Sequence, residues 1–243
     1  MVMRVVRVAA LVGFCGLAGG CVGPGVIRDL PDPVFPAALA QPSSPIAVAP
    51  PVLPAPREPA PRRMGSVTVI VDAGHGGDDP GAHGVAPVPE KRINLAIALE
   101  LAHALEERGA NVITTRESDR FIPLDDRAAL ADRTHTDLFV SIHADSSPRA
   151  EVSGATVYIA RSASAASRDA AENIVAALER AGVECRGISQ ADFRVLARHS
   201  RPAVLVECGY LTNRAEAERL STTSYQARLA AAIAEGITEH FSR

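Results

Sequence analysis

From Ser66 onward, short β-branched and apolar runs alternate with longer stretches of helical spacing, and this alternation restricts the fold more than any other feature. VTVIVD (67–72), NVITTR (111–116), DLFVSIHA (137–144), GATVYIA (154–160) and PAVLVECGY (202–210) read as strands. KRINLAIALELAHALEERG (91–109) places Ile93, Ile97, Leu101, Ala104 and Leu105 on one helical face and ends at a glycine cap. Further helices are expected at 125–134, 165–181 and 215–240. Strands that are apolar throughout need cover on both sides. The expected fold is therefore a single three-layer α/β/α domain over residues 67–243, with a mainly parallel, twisted sheet. Ligands of such sheets bind beyond the carboxyl ends of the strands.

The chain ahead of this domain has a different character. Residues 1–20 carry Arg4 and Arg7 before an apolar run too short to span a bilayer, and they read as an export signal. The end of that run, LAGGC, resembles a bacterial lipobox, which implies a lipid on Cys21 and attachment to a membrane. Ordinary signal cleavage nearby and a retained anchor are the alternatives. Val22 and Gly23 lack the acidic residue associated with inner-membrane retention, which favours a periplasmic protein on the outer membrane. Residues 22–66 hold twelve of the eighteen prolines and show no helical or strand period, so 21–66 reads as a Pro/Ala-rich, lipid-anchored disordered tether. A net charge of −3, scattered arginines and the absence of tryptophan argue against a nucleic-acid partner. Outside the signal and its end, only Cys185 and Cys208 remain, and export would permit them to pair.

Polar residues of one kind collect where strands stop. VTVIVD runs into Gly74 and His75, LFVSI into His143, and AVLV into Glu207, while Glu90 opens the long helix. If the strands are parallel neighbours, these groups meet at one rim. Two imidazoles and a carboxylate with a fourth position open form the ligand set of a catalytic Zn²⁺ site. Gly74, Gly76 and Gly77 let the backbone turn sharply enough to aim His75, and Asp72 is placed to orient a neighbouring group. His83 shares the loop and stands within possible reach of the rim; His103, His135, His199 and His240 read as surface or connecting residues. An acid directly after AVLV is costly to bury unless it is paired or used, which marks Glu207 out.

Five blocks, VDAGHGGDDPGAHG, EKRINLAIALELAHAL, TTRESDRFIPLDDRA, VSIHADSS and VLVECGYLTN, resemble in order and spacing the zinc-dependent N-acetylmuramoyl-L-alanine amidases that cleave bacterial cell walls. The resemblance covers about residues 67–240. It implies zinc ligands at His75, Glu90 and His143, a catalytic glutamate at Glu207, and peptidoglycan as substrate. Cys208 fills a variable position of its block and should point away from Glu207 into packing. Some relatives carry an additional helix that occludes the zinc; between Val157 and Pro202 this chain has room for about one good helix. The rival readings are a peptidoglycan-binding module without catalysis and another zinc amide hydrolase on a related scaffold.

Overall fold

The computed structural model describes residues 64–85 and 88–242. The export signal read over 1–20, the lipid site Cys21 and all but the last three residues of the tether lie outside the described residues. Those last three, Met64–Ser66, form a short 3-10 turn whose methionine joins the core. The elements then follow in the order β1 (Thr68–Ala73), α1 (Glu90–Glu107), β2 (Asn111–Thr114), α2 (Leu124–Arg133), β3 (Leu138–Asp145) and β4 (Ala155–Ile159). After them come α3 (Ala165–Arg180), β5 (Cys185–Gln190), α4 (Arg194–Ala197), β6 (Ala203–Tyr210), α5 (Arg214–Leu220) and α6 (Thr223–Phe241).

The six strands form one sheet in the order β2-β1-β3-β6-β4-β5. Neighbours run parallel except β4 and β6, which are antiparallel, so the sheet is mainly parallel, as its apolar strands require. Side chains alternate between two unequal faces. Val69, Val71, Val140, Ile142, Val204, Val206 and Cys208 enter the larger core, beneath α1, α3 and α6. Ile70, Phe139 and Leu205 enter a smaller one, beneath α2 and the short α4. By the same alternation Asp72, His143 and Glu207 emerge on the lightly covered face. Cys208 is fully buried on the opposite side, as its position predicts, and among the described residues neither it nor Cys185 is joined in a disulfide.

The structure departs from the expectation at β5, at the four-residue α4, which no expected element covers, and in the last helix. β5 was not expected, because CRGISQ carries few apolar residues and Gly187 (φ +85°) breaks its register against β4. As an edge strand it needs little burial to exist. The single helix expected over 215–240 is two, interrupted at Ser221 and Thr222. There the Ser221 and Thr222 hydroxyls donate to the Ala217 and Arg219 carbonyls, and Gln226 donates to the Leu220 carbonyl, so the broken turn keeps its hydrogen bonds.

Candidate metal centre

β1 ends at Ala73, and the chain turns at once. A Cβ on Gly74 would lie 2.2 Å from Cε1 of His143, so the glycine makes room for that imidazole. His75 follows with φ +60°, a left-handed conformation that non-glycine residues seldom adopt. Surrounding bonds hold it there. The buried Arg127 donates to the carbonyls of Ala73 and His75, and the buried Arg116 to those of Ala73 and Gly74. Asp72, fully buried, anchors Arg127 at 2.7 Å and accepts from Thr115 and Ser141. It therefore supports the His75 turn through Arg127 rather than by touching a ligand.

Asp79, which sequence reasoning missed, lies 2.7 Å from His75 Nδ1. It thereby fixes the ring with Nε2 toward Glu90, 3.1 Å from Oε2. Glu90 opens α1 and is almost wholly buried. Its Oε1 lies 3.2 Å from His143 Nδ1 and accepts from Asn94 Nδ2 and the Ala144 amide; its Oε2 accepts from the Ala82 amide. The donor atoms of His75, Glu90 and His143 all lie within 4.8 Å of one another. Tetrahedral coordination with bonds of about 2.1 Å separates ligand atoms by about 3.4 Å, so the set fits one small divalent ion. Burial favours the neutral form of Glu90, yet hydrogen bonds and charge from His143 and His75 hold its carboxyl far below the usual range. For His75, burial likewise works against the charged form, but Glu90 and then Asp79 prevail and raise its pKa.

Glu207 pairs in register with His143 across β3 and β6. Among the described residues its buried Oε2 has no hydrogen-bond partner, and burial, followed by the charges of Asp145 and Glu90, pushes its carboxyl well above the usual range. A buried acid with a free lone pair is equipped to take up a proton. His83 is exposed and lines a separate hollow with Pro80, Val88 and Leu211. Of the remaining histidines, His103 is exposed on α1, His135 follows α2, His199 packs on Phe139, and His240 pairs with Asp169.

At the level of class, this is a three-layer α/β domain whose donor set suits one divalent ion beside a buried acid. Comparison with known proteins narrows it. Residues 69–239 match the family model described as Amidase_3, N-acetylmuramoyl-L-alanine amidase, and the chain belongs to that family. It is 36% identical to the uncharacterized protein YqiI of Bacillus subtilis over 72% of this chain and 85% of that protein. It is 32% identical to the N-acetylmuramoyl-L-alanine amidase AmiA of Escherichia coli over 73% of this chain and 77% of AmiA. Among solved structures, the amidase AmiC2 of Nostoc punctiforme is 38% identical, with a TM-score of 0.67 over 73% of this chain and 98% of that one. Between β4 and β6 the described residues contain α3 and the four-residue α4, and no second long helix.

Proposed function

We propose that this chain is a zinc-dependent peptidoglycan amidase. It cuts the amide joining the lactyl group of N-acetylmuramic acid to L-alanine, the first residue of the stem peptide. The observation that carries this reading is the meeting of His75, Glu90 and His143 beside a buried acid, Glu207, with a free oxygen. Membership of the amidase family and the likeness to AmiA support the substrate class. Two imidazoles and one carboxylate suit Zn²⁺ and leave a position open. Zinc held there supplies Lewis acidity toward the scissile carbonyl and toward water. Glu207 takes the proton of the attacking water and returns it to the departing alanine amine. Asp79 and Glu90 keep the His75 ring turned to the site throughout.

Glu207→Gln should bind zinc normally and lose at least about a hundredfold in turnover, the usual range for removing a general base. Purified sacculi incubated with and without chelator, followed by mass analysis of released stem peptides, give the readout. His75→Ala and His143→Ala should lower zinc content directly. A Glu207→Gln protein with near-normal turnover would remove the proposed role.

We infer further that the protein is exported, with a signal over 1–20, a lipid on Cys21, a tether over 21–66 and the catalytic domain over 67–243 in the periplasm, on the outer membrane. Arg4, Arg7 and the LAGGC stretch support this, as does a substrate found only outside the cytoplasmic membrane. Cys21→Ser should move the protein from the membrane to the soluble fraction.

A further inference from the structure

Two surfaces of different chemistry flank the proposed zinc ligands. Toward β1 and α2 lies a cavity of about 230 Å³, walled by Phe121, Ile122, Leu124 and Val195 and reaching His75 and His143. Phe121 and Leu124 are 55% and 51% exposed, so this wall shows apolar surface to solvent directly beside the site. On the other flank, beyond β6, lie β4 and β5. There Tyr158 packs edge-on against Phe193, and the exposed Arg186 sits over the Tyr210 ring, 5.9 Å from its centroid. Tyr210 pairs with Asp145 just past His143 and Glu207, which ties this flank to the site. Among the described residues Arg186 forms no ion pair; its one hydrogen bond is a long 3.4 Å contact to the Ser153 carbonyl.

Glu207 gives the groove a direction. A group that returns a proton to a leaving amine stands on the amine's side of the scissile bond. Glu207 lies on β6, between the strands that carry the histidines and the pair β4 and β5. The amine, and the peptide behind it, then extends over β4 and β5, while the acyl side extends toward the apolar cavity. Strands are spaced about 4.8 Å apart, so β5 lies about 10 Å from β6. An extended peptide advances about 3.4 Å per residue, which brings its second or third residue to Arg186.

We propose that the groove binds its substrate in this one direction, with the muramoyl group against Phe121, Leu124 and Val195 and a stem-peptide carboxylate on Arg186. The inference rests on the wall-amidase reading above. It is tested with the full-length protein and two soluble muramoyl-peptides, one with free carboxylates on the second and third stem residues and one with carboxamides there. Arg186→Gln should raise KM about tenfold for the first and less than about twofold for the second, with kcat unchanged, as for a lost charge-assisted hydrogen bond. Arg186→Lys should recover part of the difference. Phe121→Ala combined with Leu124→Ala should weaken binding of free N-acetylmuramic acid about fivefold by saturation-transfer NMR and leave carboxylate discrimination intact. Equal losses on both peptides for Arg186→Gln, or discrimination lost in the Phe121 and Leu124 variant, would overturn the direction while leaving the activity standing. A wild-type protein that cuts neither peptide nor sacculi would overturn the activity, and this inference with it.

Discussion

Gly74 contributes through the atom it lacks, since any β-carbon there would occupy the space of the His143 ring. Gly74→Ala should therefore fold, displace His143 and lower zinc occupancy severalfold, measured by metal analysis of the purified protein. Glu207 leads to a prediction with a definite pH sign. Its folded pKa is raised, so between about pH 4.3 and that raised value the folded protein holds a proton that the unfolded chain has released. The associated stability is complete below about pH 4.3 and is lost as pH rises through the folded pKa. In metal-free protein, Glu207→Gln should be more stable than wild type at pH 8, by about 1–3 kcal/mol, and nearly equal to it at pH 4, as urea midpoints would show. His75, Glu90, His143 and Glu207 were legible as residues because each interrupts or opens an apolar element. Asp79 and Arg116 were not. Asp79 lies only four residues past His75, but its contact depends on the left-handed turn at His75, and Arg116 reaches carbonyls about forty residues away, which no local pattern records.

The elements explain why those residues converge. Each central strand reads as a solid apolar run, which hides its alternation, yet the alternation places Asp72, His143 and Glu207 on the face with less helical cover. The mainly parallel direction of the sheet followed from its apolar strands, whereas the adjacency of β1, β3 and β6 was only a condition of the reading, and the structure supplies it. The reversed pair β4 and β5 did not, because CRGISQ lies at an edge and lacks an apolar signature. Between β1 and α2, the buried Asp72–Arg127 pair ties a strand to a helix and fixes the turn that carries His75. Arg127→Met would leave Asp72 buried without its partner, which should cost about 3–5 kcal/mol in urea denaturation. Zinc affinity should fall as well, because the His75 carbonyl loses its donor. Pairing Arg127→Met with Asp72→Asn should recover part of the stability and none of the affinity.

At the scale of the molecule, the alternation of strands and helices sufficed to place the domain in its architectural class, since few arrangements bury so many two-sided apolar strands. Its stability should depend on the proposed ion. A ligand at a hundred times its dissociation constant adds about 2.7 kcal/mol, so chelation should lower the thermal midpoint of wild type and of Glu207→Gln by several degrees. His75→Ala should show little response. Between β4 and β6 the described residues hold α3, β5 and the short α4.

The reversal of β4 has one more consequence. Because β4 runs against β6, the connection over residues 146–154 leaves the rim at Asp145 and returns to it at Ala155, arching past the end of β6. It is pinned near its ends by Thr212, which accepts from the Ser147 amide, and by Glu216, which accepts from the Gly154 amide. Lengthening such an arch between its pins disturbs no strand and costs only about 0.6 kcal/mol per doubling in closure entropy. It is a natural grafting point, where an added module would overhang the cleft while the scaffold below stayed as it is.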